Sequence, residues 1–169
     1  MGVLKNIVLS LGSNLGDRRA FLEEARFMIA SDIGEIVRSS SMYENVSWGF
    51  ESGDFLNQVL EVASADTPQV LLQKVESIEK RLGRNTKSYY DSDTGTMIYS
   101  DRTIDIDILL YRNESFSGQG LTIPHPGITE REFVLRLLTE LFQDEVIPPF
   151  TSSFKQLLQH KLKSSSILK

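Results

Sequence analysis

The feature that most constrains the fold is the alternating segment Thr-Ile-Asp-Ile-Asp-Ile-Leu-Leu-Tyr at residues 103–111. Successive side chains of a β-strand point to opposite faces of a sheet, so this pattern predicts a strand with one apolar and one acidic face. The acidic face would carry Asp105 and Asp107. The apolar face would carry Ile104, Ile106, Ile108 and Leu110.

The two aspartates are candidates for a metal site. Carboxylates held close together on one strand face repel each other and favour a bound cation. Two carboxylates together with phosphate oxygens are a typical incomplete ligand set for Mg²⁺. The alternative is a half-buried strand with a solvated acidic face, and an Asp-x-Asp pattern alone does not decide between the two.

The segments before this strand predict the order strand, helix, strand, strand, helix. Residues 7–11 are typical of a buried strand, and residues 55–63 alternate as a half-buried one. Residues 36–43 predict a less regular strand between them. The first helix would end at Gly34, and Thr67 and Pro68 would begin a second helix that ends near Gly83.

With the acidic strand added, this order is the ferredoxin-like βαββαβ unit, an α+β fold with helices packed on one face of an antiparallel sheet. A capping box at residues 129–132 predicts a further helix, and residues 153–162 predict a short last one. We expect one domain over residues 1–162 and a frayed tail over residues 163–169. Since this fold hosts many functions, the function must be argued from sites.

Composition excludes several classes of protein. The 169 residues include no cysteine, which rules out disulfides and thiolate metal sites. A net charge of −5 argues against broad binding to nucleic-acid backbones. The N-terminus lacks the apolar core of a signal peptide, and no stretch approaches the roughly 20 apolar residues that span a bilayer. We therefore expect a cytoplasmic protein with no membrane or nucleic-acid partner.

Basic residues around the acidic strand could bind an anionic ligand. Arg84 and Lys87 follow the second helix, Arg102 precedes the acidic strand, and His125 and Arg131 follow it. A metal-bound triphosphate needs such a set of cations. For each residue alone, a solvated surface position is the simpler interpretation, and His125, which lies between two prolines, could equally be a structural turn residue.

A second group of residues could bind a flat ring. The side-chain amide of Asn57 offers a donor and an acceptor, which suits a heteroaromatic ring with an amide-like edge. Tyr43, Phe55 and Phe133 could stack on such a ring, although Phe55 and Phe133 could equally be core residues. The loop at residues 12–17 matches neither common phosphate-binding glycine pattern and predicts a tight strand-to-helix turn.

Taken together, these segments resemble the 6-hydroxymethyl-7,8-dihydropterin pyrophosphokinase family. The resemblance extends from about Asn6 to Leu141, and both the order and the spacing of the motifs agree. The motifs are Leu-Gly-Ser-Asn-Leu-Gly-Asp at 11–17, Tyr-Glu at 43–44, Phe-Leu-Asn at 55–57, Ile-Glu at 78–79, Gly-Arg at 83–84, Asp-Arg-Thr-Ile-Asp-Ile-Asp-Ile-Leu at 101–109 and Ile-Pro-His-Pro at 123–126.

The resemblance implies an enzyme that binds MgATP and then the pterin, closes its loops, and releases AMP with the diphosphorylated pterin. It implies that Asp105 and Asp107 hold two Mg²⁺ ions, that Asp105 accepts the hydroxyl proton, and that the protein is a monomer. By the same resemblance, the catalytic residues are Arg84, Arg102, Asp105 and Asp107. The implied ATP contacts are Glu79, Arg84, Lys87, Arg102, Ile108, Thr122, His125 and Arg131. The implied pterin contacts are Tyr43, Asn45, Val46, Trp48, Phe55, Asn57, Tyr99 and Phe133.

The chain departs from the family pattern in one loop. Thr86, Tyr99 and Asp101 stand where an arginine, a tryptophan and a proline are common, and the segment between Lys87 and Arg102 is longer than in compact members. These changes concern loop closure and the grip on the nucleotide rather than the reaction.

Two other interpretations remain open from the residues alone. A non-catalytic ferredoxin-like domain that senses a metabolite would show no Mg²⁺-dependent ATP binding. An ordinary kinase that transfers the γ-phosphoryl group could use the same metal and arginine set, and would release ADP in place of AMP.

Overall fold

The computed structural model describes residues 5–45, 53–84, 89–98 and 102–167. The strands are β1 (Lys5–Ser13), β2 (Glu35–Ser39), β3 (Tyr43–Asn45), β4 (Phe55–Ser64), β5 (Tyr89–Asp91), β6 (Thr96–Ile98), β7 (Asp105–Tyr111), β8 (Phe116–Gly118) and β9 (Leu121–Ile123). The helices are α1 (Arg18–Asp32), α2 (Pro68–Arg81), α3 (Gly127–Glu130), α4 (Glu132–Phe142) and α5 (Phe154–Ile167).

The main sheet is antiparallel and has the order β2-β4-β1-β7, with β3 also paired to β4. The α+β class and the ferredoxin-like arrangement predicted from the sequence are confirmed. Two short hairpins, β5-β6 and β8-β9, lie outside this sheet. The chain between Lys87 and Arg102, which was expected to be a long loop, thus contains a β-hairpin.

The strand predicted over residues 36–43 is wrong in its extent, because the structure divides it into β2 and β3. The break lies at Ser40, whose hydroxyl accepts a hydrogen bond from the backbone N–H of Val59 at 2.9 Å. A serine side chain thus takes the place of a backbone carbonyl in the ladder. The chain then turns, and β3 pairs with the first residues of β4.

The sheet separates two apolar cores. Ile7, Leu9 and Leu11 of β1 face α1 and α2, where they pack with residues such as Leu22 and Leu71. The alternate residue of β1, Val8, faces α4 and α5. Helices α1 and α2 therefore cover one face of the sheet as predicted, and the C-terminal helices α4 and α5 cover the other.

The predicted face of Leu110 is wrong. Ile104, Ile106 and Ile108 lie in the core beside α1 and α2, but Leu110 lies in the core beside α4 and α5. The cause is an irregularity in the ladder, since Leu9 pairs with Ile108 while Val8 pairs with Leu110. One extra residue in β7 reverses the alternation beyond that point.

The helix boundaries follow the capping residues in the first half of the chain. Asp17 caps α1 by accepting from the Ala20 N–H at 3.0 Å, and Thr67 caps α2. Gly34 lies so close to β4 that an added Cβ would be 2.0 Å from the carbonyl oxygen of Ala63. A glycine is needed there because of this approach, not because of a special backbone angle.

The capping box predicted at residues 129–132 is wrong. Thr129 lies inside α3, and Arg131 is the extended residue between α3 and α4, without a side-chain cap. The helical turn begins earlier because the backbone N–H of Gly127 donates to His125 Nδ1 at 2.9 Å. The last helix, α5, continues to Ile167 and includes most of the segment expected to be a frayed tail. Among the described residues, no helix is long and apolar enough to cross a membrane.

Candidate active site

A row of paired residues crosses four strands on the face of the sheet that α4 covers. Tyr43 pairs with Asn57, Asn57 with Gly12, and Gly12 with Asp105. A Cβ at Gly12 would lie 3.0 Å from Asn57 Oδ1 and 3.6 Å from the ring of Phe55. Gly12, which has no side chain, thus lies between the candidate ring-binding amide and the candidate metal-binding carboxylate, and we call this position the groove over Gly12.

Asp105 is held by two arginines that the sequence places far apart. Arg84 Nη1 donates to Asp105 Oδ1 at 2.7 Å, and Arg102 Nη1 donates to Asp105 Oδ2 at 2.5 Å. The side chains of these arginines are only 10% and 17% exposed. Charges this close and this sheltered interact strongly, and the same two guanidinium groups are suited to bind an anionic ligand.

Glu79 of α2 is also part of this cluster, through its contact with Arg84. Its Oε1 accepts from Arg84 Nη1 at 2.5 Å and from the backbone N–H of Ile106 at 2.8 Å. Burial of the carboxyl, and secondarily the charge of Asp105, raise the pKa of Glu79 to about 7, while both hydrogen-bond donors act in the opposite direction. Glu79 therefore fixes Arg84 and the start of β7 from a buried position.

Asp107 lies two residues along β7 and meets a second pair of cationic or basic groups. Arg131 Nη1 donates to Asp107 Oδ2 at 3.2 Å, and His125 Nε2 lies 3.8 Å from Asp107 Oδ1. Desolvation, followed by the charge of Asp105, raises the pKa of Asp107 above its usual range. Ionising both aspartates is therefore costly without an added cation.

The two aspartates have the chemistry that Mg²⁺ prefers, since both are hard oxygen ligands on one strand face. Within the described residues, no cluster of three or more histidine, cysteine, aspartate or glutamate side chains could enclose a metal. The residues present thus fit a cation whose remaining ligands come from a bound phosphate and water.

The orientation of His125 is fixed by the backbone. His125 Nδ1 accepts from the Gly127 N–H at 2.9 Å, so the ring proton is on Nε2, the nitrogen that faces Asp107. A Cβ at Gly127 would lie 3.0 Å from His125 Nδ1 and 3.1 Å from Arg131 Nε. Gly127 therefore allows the histidine and the arginine to approach the same carboxylate.

A cavity of about 220 Å³ opens beside Asp107. It is lined by three of the predicted ATP contacts, Ile108, Thr122 and His125, and by apolar residues such as Leu72 and Leu121. A larger cavity of about 540 Å³ lies at the opposite end of the sheet, around the ion pair of Arg38 with Glu61. The smaller cavity is the candidate nucleotide site because Asp107 and His125 line it, and Asp107 is two residues along β7 from Asp105, which contacts Arg84 and Arg102.

The candidate ring-binding residues also converge. Asn57 is buried, and its Nδ2 donates to Asn45 Oδ1. The same nitrogen lies 3.4 Å from each of the carbonyl oxygens of Tyr43 and Phe55. Tyr43 and the Phe133 side chain at the start of α4 both pack against the core on this face. The donor half of the Asn57 amide is therefore engaged within the protein, unlike the expectation that both halves would be open to a ligand.

Val46, Trp48, Lys87 and Tyr99, also predicted as site residues, lie outside the described residues. Val46 and Trp48 belong to the segment between β3 and β4. Arg18, the first residue of α1, contacts the chain on both sides of this segment, at Glu44 and Asp54. Arg18 Nη1 contacts Glu44 Oε1 at 2.7 Å and the carbonyl oxygen of Asp54 at 2.6 Å.

Sequence reasoning missed several residues that shape the site. Asn14 Oδ1 accepts from the Arg102 N–H at 2.7 Å, and the Asn14 N–H donates to the Arg102 carbonyl at 3.1 Å, so Asn14 sets the position of Arg102. Gly12 and Gly127 were missed because their importance lies in what approaches them. Their presence inside the resembling motifs or next to them was the available signal.

Comparison with known proteins agrees with this geometry. The protein-family model for 7,8-dihydro-6-hydroxymethylpterin-pyrophosphokinase matches residues 8–143. A 2-amino-4-hydroxy-6-hydroxymethyldihydropteridine pyrophosphokinase of Aquifex aeolicus is 34% identical over 154 residues, covering 90% of each chain. An enzyme of the same name from Porphyromonas gingivalis is 40% identical over 137 residues, covering 80% of this chain and 89% of the relative.

Among solved structures, the chain resembles Plasmodium falciparum HPPK-DHPS with pterin and p-hydroxybenzoate, with a TM-score of 0.76 at 15% identity. The match covers 99% of this chain but 45% of that one, so the chain spans less than half of the longer protein, and the likeness supports the fold alone. The match to the family model and the two relatives show the family. The chain belongs to the 7,8-dihydro-6-hydroxymethylpterin-pyrophosphokinase family.

Proposed function

We propose that the protein transfers the β,γ-diphosphate of ATP to the hydroxymethyl group of 6-hydroxymethyl-7,8-dihydropterin, as a step in folate biosynthesis. The observation that carries this proposal is the row in which Gly12 lies between Asp105 and Asn57. It brings a carboxylate site for metal-bound phosphates and an amide suited to a heterocycle to the two sides of one groove. Family membership supplies the identity of the two substrates.

The phosphates of ATP bind where the arginines converge. Arg84 and Arg102 hold Asp105 in the substrate-free protein, and the incoming phosphate oxygens compete for the same guanidinium N–H groups. Arginine binds such oxygens with a planar pair of donors and remains charged throughout. Release from the arginines leaves the oxygens of Asp105 available as ligands and as a base.

Asp105 and Asp107 would hold Mg²⁺, which when bound neutralises charge on the phosphate oxygens. Burial and the charge of Asp105 raise the pKa of Asp107, and a bound cation would favour its ionised form. We propose two ions, as the resemblance to the family implies.

The remaining parts of the nucleotide lie toward the cavity beside Asp107. Ile108, Thr122 and His125 line it, and Arg131 is held next to it by its contact with Asp107. These groups would bind the base, the ribose and the α-phosphate. Glu79 acts through Arg84 by fixing its position.

The pterin lies on the other side of Gly12, against Asn57 and between the aromatic side chains of Tyr43, Phe55 and Phe133. Its hydroxyl oxygen attacks the β-phosphorus of ATP, and the bond from that phosphorus to the bridging oxygen of the α-phosphate breaks. AMP leaves with that oxygen, and the hydroxyl proton passes to Asp105. Positioning and charge neutralisation supply most of the rate enhancement in such transfers.

The test is to incubate the protein with MgATP and the pterin and to separate the nucleotides by ion-exchange chromatography. AMP that appears only when the pterin is present is the expected result. ADP would indicate transfer of the γ-phosphoryl group instead, and no turnover by folded protein would favour a binding domain. We propose a cytoplasmic monomer, which sedimentation of the purified protein would test for oligomeric state.

Asp107→Asn is the informative variant, because Asp107 is partly exposed and its replacement leaves the arginines on Asp105 in place. We expect kcat to fall on the order of 100-fold or more, with unchanged thermal stability. Asp144→Asn, at an exposed position in the turn after α4 where Asp144 pairs with Lys155, is the matched control and should retain full turnover. Full activity in Asp107→Asn would refute the metal assignment.

A further inference from the structure

The side-chain amide of Asn57 is buried, with 3% of the residue exposed, and its orientation matters for any ring that binds there. Its two ends have nearly the same shape but opposite hydrogen-bonding character. The surrounding network decides which end is nitrogen. At Asn57 that network consists of oxygen atoms on one side and the groove over Gly12 on the other.

Three oxygen acceptors surround Asn57 Nδ2. Two are the backbone carbonyls of Tyr43 and Phe55, both at 3.4 Å, which is at the long end for a hydrogen bond. The third is Asn45 Oδ1, the closest of the three. If the Asn57 amide were reversed, its own oxygen would face the Tyr43 and Phe55 carbonyl oxygens, and neither can donate a hydrogen bond to it.

Asn45 reaches this position because of strand register. Asn45 pairs with Phe55, and Tyr43 pairs with Asn57, so Asn45 and Asn57 are diagonal neighbours on one face of the β3-β4 ladder. Diagonal neighbours are within reach of each other when their side chains are long enough. Asn45 is thus placed to orient Asn57 from within the same hairpin.

We infer that Asn45 is a positioning residue, which accepts a hydrogen bond from Asn57 Nδ2 and thereby directs Asn57 Oδ1 into the groove over Gly12. The ligand then meets an acceptor and must present a ring N–H or an amino group at that point. This inference rests on the proposed function for the identity of the ring. It changes the role expected for Asn45 from a contact with the pterin to a contact with Asn57.

A double-mutant cycle distinguishes these two roles. The variants are Asn45→Ala, Asn57→Ala and the double variant, with Asn45→Asp as the conservative replacement that keeps an acceptor oxygen. Pterin affinity is measured by calorimetry in the presence of Mg²⁺ and α,β-methylene ATP, whose α,β bridge cannot be cleaved. Asn113→Ala, at an exposed turn at the other end of the sheet, is the control.

We expect Asn45→Ala to weaken pterin binding about tenfold, the effect of losing one well-placed hydrogen bond to a buried amide. Asn45→Asp should restore most of the affinity. In the Asn57→Ala background, the Asn45→Ala change should have no further effect, because a residue that acts through Asn57 has nothing left to position. The ATP analogue should bind all variants with equal affinity.

The inference is wrong if Asn45→Ala weakens binding equally in both backgrounds, since that result indicates an independent contact with the ring. It is also wrong if Asn45→Ala alone leaves the affinity unchanged. Because the cycle measures binding, it is separate from turnover. A wild-type protein that binds the pterin and shows the coupling but forms no AMP would contradict the proposed reaction and leave this inference standing.

Discussion

Glu79 gives a quantitative test of the electrostatics beneath the site. The carboxyl is buried, and its pKa in the folded protein is raised from 4.5 to about 7, mainly because burial disfavours the charged form. The folded protein therefore holds a proton that the unfolded chain releases as the pH rises above 4.5. The stability that this carboxyl contributes is present at low pH and is lost as the pH rises through 7.

Glu79→Gln removes this titration while keeping an oxygen that can accept from Arg84 and Ile106. A shift of one pKa unit corresponds to about 1.4 kcal/mol, so between pH 5 and pH 8.5 the wild-type protein should lose on the order of 3 kcal/mol that the variant retains. The difference in unfolding free energy between variant and wild type should therefore change by that amount in favour of the variant over this range.

The assay is urea unfolding of the substrate-free protein at pH 5, 7 and 8.5, with the slope against urea checked for constancy. Glu24→Gln, at an exposed position on α1, is the control and should show no pH-dependent difference. If the stability difference between Glu79→Gln and wild type is the same at all three pH values, the Glu79 carboxyl does not titrate in this range, and the reasoning about its burial is refuted.

Three further substitutions test the packing around the site. Gly34→Ala should destabilise the protein by about 3 kcal/mol, measured by urea unfolding, because its Cβ would clash with the Ala63 carbonyl; an unchanged midpoint would contradict the close approach. Gly127→Ala should raise the KM for ATP about tenfold with little change in the KM for the pterin, because it displaces the neighbouring histidine; equal changes in both would contradict this assignment. Arg18→Ala should raise the KM for the pterin severalfold, because it removes the contacts of Arg18 with Glu44 and Asp54 on the two sides of the β3-β4 connection. The exposed neighbour is the control, and Arg19→Ala should leave this KM unchanged. Equal effects of the two substitutions would show that the Arg18 contacts are unimportant for pterin binding.

The acidic strand shows how far periodicity carries a prediction. Alternation placed Asp105 and Asp107 on one face, and three isoleucines on the other, because a regular strand has a period of two. It failed at Leu110, because the irregularity in β7 depends on how β1 pairs with it. Likewise, the break between β2 and β3 depends on the Ser40 hydroxyl meeting Val59, a contact between residues distant in sequence.

The residue types of the candidate site could be predicted from the sequence, but most of their spatial arrangement could not. The resemblance supplied Arg84, Arg102 and Asp105, but no spacing rule states that the two guanidinium groups meet one carboxylate from both sides. The importance of Gly12 lies in the absence of a side chain beside Asn57, which is visible only when the paired strands are in place. Local patterns fix the elements, and the convergence of side chains follows from how the strands pair.

The central claim is that two phosphoryl groups are transferred together. The most direct measurement is ³¹P nuclear magnetic resonance of the pterin product after reaction with MgATP. The account predicts two mutually coupled resonances on the pterin, from a diphosphate ester, and AMP as the nucleotide product. A single uncoupled resonance from a monophosphate ester, with ADP as the nucleotide, would contradict it.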